Sequence, residues 1–151
     1  MLVVNGSDVP EGGCLWDKEF KESFADDYFS TRWFLQRHYD LTGSNGIKGV
    51  REIVNEDSIS TKNIFEEFSQ NLSRFMLPYL EKFDADLLVL GGNIAKAHAL
   101  FLPKLKEYWE QKNCTVATNI IENTEEASII GSSYLFNEEF WKSVKKELPT
   151  R

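Results

Sequence analysis

The sequence predicts a small α/β layer, heavy in helix, and three observations carry that prediction. Asp86-Leu87-Leu88-Val89-Leu90 is a continuous apolar run, the mark of a buried parallel strand. A helical pattern follows at once, with Ala97, Phe101, Leu105 and Tyr108 on one face. Thr115 to Ile121 is a second strand candidate, so strand, helix and strand fall within about 36 residues and make a βαβ crossover.

Taken in order, Met1 to Val4 is a short apolar run closed by Asn5-Gly6, a strong hairpin signal. Ser7 to Gly13 reads as a second short strand and turn, punctuated by Pro10 and Gly12-Gly13. From Ser23 the period changes. Ser23 and Asp26 form a capping-box pattern, and Tyr28, Phe29, Trp33, Phe34, Leu35, Tyr39 and Leu41 predict a helix up to Gly43. Apolar residues cover most of its circumference, so burial on two sides is expected. A short helix over Val50 to Val54 precedes a long one after Ser60. The stripe of that long helix is Ile64/Phe65, Phe68, Leu72, Phe75/Met76, Tyr79/Leu80 and Phe83, and Pro78 is expected to kink it. Asn123 and Glu126 cap a last helical region from Ala127 to Phe136, continuing through Trp141 to Leu148.

Composition narrows the function classes. At 151 residues the chain is expected to form one domain with its own core, and its 20 aromatic residues (11 Phe, 5 Tyr, 4 Trp) argue against intrinsic disorder. A net charge of −7 counts against nucleic acid as a partner, because phosphate neutralisation needs clustered Lys and Arg. Cys14 and Cys114 match no metal spacing and read as free thiols of a reducing compartment. No apolar run reaches the roughly 20 residues of a membrane span, and no signal-peptide pattern opens the chain. A cytoplasmic protein without membrane partners is the expectation.

The chemistry concentrates at one turn. Gly91-Gly92-Asn93 sits at the carboxyl end of a predicted strand and the amino end of a predicted helix, the edge where open α/β sheets bind ligands. Two glycines let a flat ring or a phosphate approach the backbone, and equally suit a tight turn needed only for closure. The turn is neither a Walker loop nor G-x-G-x-x-G. Among the carboxylates, Glu11 and Asp26 stand apart beside a turn and a helix start, next to aromatics, where a pair could hydrogen-bond sugar hydroxyls. His38 and His98 lie within helices and have no third ligand or paired nucleophile. No triad, zinc cluster or basic stripe is present, so no catalytic or metal residue is assigned.

The order of these motifs resembles the ROK family of bacterial sugar kinases and sugar-responsive repressors. Leu87 to Ala95, followed by Phe101-Leu102-Pro103-Lys104-Leu105, resembles the family's adenosine-binding turn and following helix. Ala127 to Leu135 resembles its closing A-x-x-x-G-A-A segment, and Asp27-Tyr28-Phe29-Ser30 its E-x-Y-x-S helix start. Leu2-Val3-Val4-Asn5-Gly6 resembles the second strand of the carboxy-terminal lobe. The resemblance implies a partial ribonuclease-H-like, actin-like ATPase lobe, a small mixed sheet covered by several helices. It implies nucleotide binding at Gly91, Gly92 and Asn93, and hexose binding at Glu11 and Asp26. ATP with magnesium would serve a complete enzyme, in which phosphoryl transfer is mostly positioning and charge stabilisation.

The departures sharpen the expectation. Cys14 stands where the family's E-x-G-H motif has histidine, and Asp26 where the family usually has glutamate. The C-x-C-G-x-x-G-C zinc loop is missing, so no zinc is expected. The D-x-G-x-T, N-D and G-T-G elements of the amino-terminal lobe and first strand are not in the sequence. The chain therefore reads as the carboxy-terminal lobe over residues 1–151, a truncated product or a fragment working beside another polypeptide. An uncovered sheet edge invites a homodimer or a second chain supplying the other lobe. Three functions are in view: half of a glucokinase-like ATP-dependent sugar kinase, inactive alone; the sugar-sensing lobe of a repressor; and a non-catalytic dimerising module.

Overall fold

The structure, a computed structural model, describes residues 1–6 and 8–146. It is mixed α/β and mainly helical. The elements run β1 (Glu19–Phe20), β2 (Ser23–Phe24), α1 (Ala25–Tyr28), α2 (Thr31–Thr42), α3 (Val50–Glu56) and α4 (Ile59–Phe83). They continue with β3 (Leu87–Leu90), a 3-10 turn (Ala95–Ala97), α5 (His98–Glu110), β4 (Ala117–Ile120) and α6 (Thr124–Ser133). A second 3-10 turn (Tyr134–Phe136) and α7 (Glu138–Lys145) close the series. The chain divides into two compact units, Asp26–Glu122 and the two terminal segments Met1–Ala25 with Asn123–Arg151.

The core of the Asp26–Glu122 unit is built around α4. Ser58 caps this helix by accepting from the Thr61 N–H at 3.0 Å, and the Thr61 hydroxyl accepts from the Ser58 N–H at 3.4 Å. The cap thus falls just upstream of the expected start. Of the predicted stripe, Ile64, Phe65, Phe68, Phe75 and Leu80 are buried, while Leu72, Met76, Tyr79 and Phe83 are half-buried. Thr61, Ser69, Asn71 and Ser73 are buried as well, which the stripe does not foretell. The helix runs unbroken through Pro78 to Phe83. Phe68 is the hub of an aromatic cluster, its ring 4.9 Å from Phe34, 5.2 Å edge-on from Phe101 and 6.0 Å from both Phe29 and Trp33.

Helix α2 ends as predicted, with Gly43 in the left-handed conformation (φ 72°) and its N–H bonded to the Tyr39 carbonyl at 2.7 Å. Its start is corrected. The long helix begins at Thr31 after Ser30, because Ser23–Phe24 pairs antiparallel with Glu19–Phe20 and the Ala25 N–H is held by the Lys18 carbonyl at 2.9 Å. Burial on two sides is corrected too: Trp33, Phe34 and His38 are buried, whereas Tyr39 and Leu41 are exposed. On its polar flank, Arg37 donates through Nε and Nη2 to one Glu67 oxygen of α4, at 3.0 and 2.8 Å. Buried His38 lies 2.8 Å from Glu56 at the end of α3.

The βαβ crossover forms. Strands β3 and β4 are parallel, with Leu87 opposite Ala117 and Leu90 opposite Ile120, and α5 connects them. The buried row of the crossover is Ala97, Phe101, Leu105 and Trp109, each four residues after the last. Trp109 therefore replaces the predicted Tyr108, whose hydroxyl instead donates to Glu66 and accepts from Gln70 at 3.1 Å, tying α5 to α4. The bond to Glu66 pushes the Tyr108 phenol above its ordinary pKa. The strand expected to be buried on both faces is buried on one. Leu88 and Leu90 pack against the helical core, whereas Leu87 and Val89 are 52% and 48% exposed.

Among the described residues the strands form two separate two-stranded sheets, one antiparallel and one parallel, rather than one mixed sheet. In the terminal unit, the Asn5-Gly6 turn takes left-handed conformations (φ 50° and 78°) but is flanked only by the single antiparallel bridge Val4–Asp8. The hairpin strands expected there are thus reduced to one bridge, and Ser7 itself lies outside the described residues. Asn123 caps α6 by accepting from the Glu126 N–H at 3.1 Å, as its spacing predicts. The helical region then breaks at Asn137, which takes extended angles and caps α7 through the Glu139 and Phe140 N–H groups. The predicted continuation through Trp141 is helical to Lys145, and residues 147–148 of it lie outside the described residues. No helix among the described residues is long and apolar enough to cross a membrane.

Candidate functional site

A cleft of about 610 Å³ opens at the carboxyl end of β3, between the start of α2, the start of α3 and the turn that follows the strand. Gly92 makes this turn possible. Its φ of 87° is left-handed, and no atom stands within 4 Å of where a Cβ would sit, so backbone conformation rather than space demands glycine. Gly92→Ala is expected to cost about 1 kcal/mol of stability, measured by urea unfolding, through the left-handed strain alone. Gly91 differs: a Cβ there would lie 3.3 Å from Ile121 Cδ1, so this glycine admits the side chain that follows β4.

Asn93 lines the cleft directly after the turn, and the 3-10 turn behind it carries Lys96 and Ala97 to the same wall. The opposite wall comes from α3. Gly49 is extended, and the Glu52 carboxylate reaches back to accept from the Lys48 N–H at 2.8 Å, which fixes the loop carrying the Lys48 side chain. Val50 is anchored in the core and Val54 half-buried, so Arg51 is left on the exposed face. Thr31 completes the rim from the first turn of α2, beside Ser30, whose buried Oγ has no hydrogen-bond partner among the described residues.

The cleft's charged lining consists of Lys48, Arg51 and Lys96, with no carboxylate. Among the described residues none of the three joins an ion pair, while Arg32, Arg37 and Lys104 each hold a carboxylate. In a chain with 24 acidic against 17 basic residues, such a concentration of unneutralised positive charge favours an anion. The apolar surface of Val50, Val54 and Ala97 gives the same cleft a wall for a ring or hydrocarbon. A volume within the roughly 300–1,000 Å³ of small-molecule pockets suits a ligand with one flat or apolar end and one anionic end.

The other sequence candidates have different surroundings. Glu11 is exposed on a turn where Gly12 is left-handed (φ 72°) and the Gly13 N–H bonds the Pro10 carbonyl at 2.9 Å. Asp26, in the same unit as the cleft, accepts from Arg32 Nη2 at 3.0 Å, and the same nitrogen reaches Asp27 at 3.3 Å. Its side chain is therefore already engaged. Cys14 is buried and Cys114 half-buried; burial pushes the Cys114 thiol up, the wrong direction for a thiolate nucleophile. No group of three or more His, Cys, Asp or Glu among the described residues could hold a metal ion.

Of the turn predicted from sequence, Asn93 lines the cleft, Gly92 shapes it and Gly91 serves the strand. The three cations were missed. Their signal was the Lys48-Gly49-Val50-Arg51 start of a short helix, together with Lys96 three residues past Asn93. The fold and site define a mainly helical α/β protein with a cleft at the carboxyl end of a parallel strand whose charged lining is cationic. No protein-family model matches the chain, and neither a curated protein nor a solved structure matches it.

Proposed function

We propose that the chain is the carboxy-terminal, ribonuclease-H-like lobe of an ATP-dependent sugar kinase of the ROK type, a glucokinase-like enzyme of the cytoplasm. The observation that carries this reading is the Gly91-Gly92-Asn93 turn opening directly onto a cleft whose charged groups are all cationic. The nucleotide occupies that cleft, with Asn93 beside it and the phosphates toward the cations. Asp26 serves the hexose by exchanging Arg32 for a sugar hydroxyl; Glu11 belongs to the terminal unit and is a hexose candidate on its sequence motif alone.

The catalytic base and the phosphate loop come from another lobe, supplied by a second polypeptide of different sequence. Magnesium would accompany ATP in the complete enzyme. The cleft of this chain offers no carboxylate for a divalent cation, so its own residues do not fit a magnesium site. What they provide is binding and orientation of the nucleotide.

The test is equilibrium binding of a fluorescent adenine nucleotide to the full chain, combined with a coupled assay for ADP release in the presence of glucose. Saturable binding displaced by ATP and ADP, without sugar-dependent ADP release by the chain alone, is the expected result. A folded chain that binds no adenine nucleotide would falsify the reading.

A further inference from the structure

We infer that Lys48, Arg51 and Lys96 form a metal-independent clamp on the phosphates of the ligand in this cleft. The inference rests on the nucleotide reading above and adds to it a set of residues and an order of events: the phosphates are held by side chains of this chain before any divalent cation arrives.

The three cations come from both walls. Lys48 and Arg51 flank the first residue of α3, and Lys96 stands opposite on the turn behind Asn93. An anion between them is therefore approached from two sides. Each wall is held independently of a ligand: Val50 and Ile53 seat α3 in the core, Glu52 fixes the Lys48 loop, and Ala95 and Ala97 bury the opposite turn. The backbone that carries the cations is thus fixed without a ligand, while the exposed Lys48, Arg51 and Lys96 side chains become ordered on binding.

The chemistry is divided among the three. The Arg51 guanidinium can present a planar fork to two phosphate oxygens, whereas the lysines act as point charges. The net charge of −7 repels a polyanion at long range, so attraction is confined to about a Debye length (~8 Å at physiological salt) around the cleft. Without a carboxylate in the lining there is nothing for magnesium to bridge from the protein side, and the cations themselves supply the neutralising charge.

The experiment is calorimetric titration of the full chain, in EDTA, with adenosine, ADP and inorganic pyrophosphate, repeated on Lys48→Ala, Arg51→Ala, Lys96→Ala and the remote control Lys62→Ala. Circular dichroism verifies that each variant is folded. ADP is expected to bind without metal and at least tenfold more tightly than adenosine. Each cleft substitution should weaken ADP binding by roughly three- to tenfold and leave adenosine unchanged, with Lys62→Ala silent. Added salt should weaken ADP and pyrophosphate but not adenosine.

Equal affinity for adenosine and ADP, with the variants unchanged, overturns the clamp and leaves the nucleotide reading intact. ADP binding that requires magnesium overturns it as well. Pyrophosphate binding that depends on the cations, with no gain from the nucleoside, upholds the clamp and removes the nucleotide reading. A folded chain that binds none of the three removes both.

Discussion

Phe68→Ala is expected to lower the unfolding free energy by about 4 kcal/mol. Phe68 is 3% exposed at the middle of α4, where its ring meets Phe29, Trp33 and Phe34 on one side and Phe101 of α5 on the other. Truncation removes the apolar area of a phenyl group and several ring contacts, the edge-on pair with Phe101 among them. The surrounding rings cannot collapse into the gap without leaving their own partners, so a cavity term adds to the transfer term. Small domains are stable by only about 5–15 kcal/mol, so the substitution consumes a large part of the margin. Urea unfolding should show the midpoint falling with the slope unchanged. Phe68→Leu, which refills much of the volume, should cost less than half as much. A loss below about 1 kcal/mol for Phe68→Ala would mean that the helices are not packed around this ring as described.

Ser69→Leu is the second large effect, and its cause is the opposite one. Ser69 is wholly buried, and its single hydroxyl proton is shared between the Phe65 carbonyl at 2.7 Å and the Phe101 carbonyl of α5 at 3.2 Å. A serine hydroxyl that reaches a neighbouring helix's carbonyl marks a position where two helices approach too closely for anything larger. Leucine there must push α5 away or leave its rotamer, at about 3 kcal/mol including the lost hydrogen bonds. Ser69→Ala keeps the close approach and loses only the hydroxyl, so about 1 kcal/mol is expected. Thermal melts of both variants distinguish the cases. Similar melting temperatures for Leu and Ala would show that α4 and α5 have room to spare.

How much of this was legible in the sequence depended on how many layers cover each element. The α4 stripe declared itself because Ile64, Phe65, Phe68, Phe75 and Leu80 keep helical spacing and the helix is long. The parallel pairing of Leu87–Leu90 with Ala117–Ile120 followed from an apolar run, a helix and a second strand. An apolar run does not say whether both faces are covered, and Leu87 and Val89 prove uncovered. The short β1–β2 hairpin was invisible because its reversal places a lysine, Lys21 at φ 53°, where glycine or asparagine would normally advertise a turn. The helix start was misplaced for the same reason, since Ser23 is a strand residue that resembles a cap.

The candidate site was half legible. Glycines followed by asparagine at a strand end are a recognisable pattern, and Asn93 does line the cleft. The cations are not recognisable, because exposed lysines are ordinary and only the fold brings Lys48 and Arg51 opposite Lys96. Asp26 was read from its neighbours in sequence, whereas its engagement with Arg32 depends on the turn between α1 and α2.

The sheet of two parallel strands has a consequence for how the protein exchanges hydrogen with its solvent. In such a ladder only alternate amides of each strand point at the partner. The Ala117 and Ile121 N–H groups do so, bonding the Asp86 and Leu90 carbonyls at 3.3 and 2.9 Å. The intervening amides of Thr118 and Ile120 face away from β3, where no further strand is paired among the described residues. Deuterium should enter those positions within the dead time of an ordinary labelling experiment, while the α4 amides around Phe65 and Ser69 wait for global unfolding. Within β4 and the residue after it, fast Thr118 and Ile120 alternate with the bonded amides of Ala117 and Ile121. Any chain that came to lie beside β4 would announce itself by slowing every second amide.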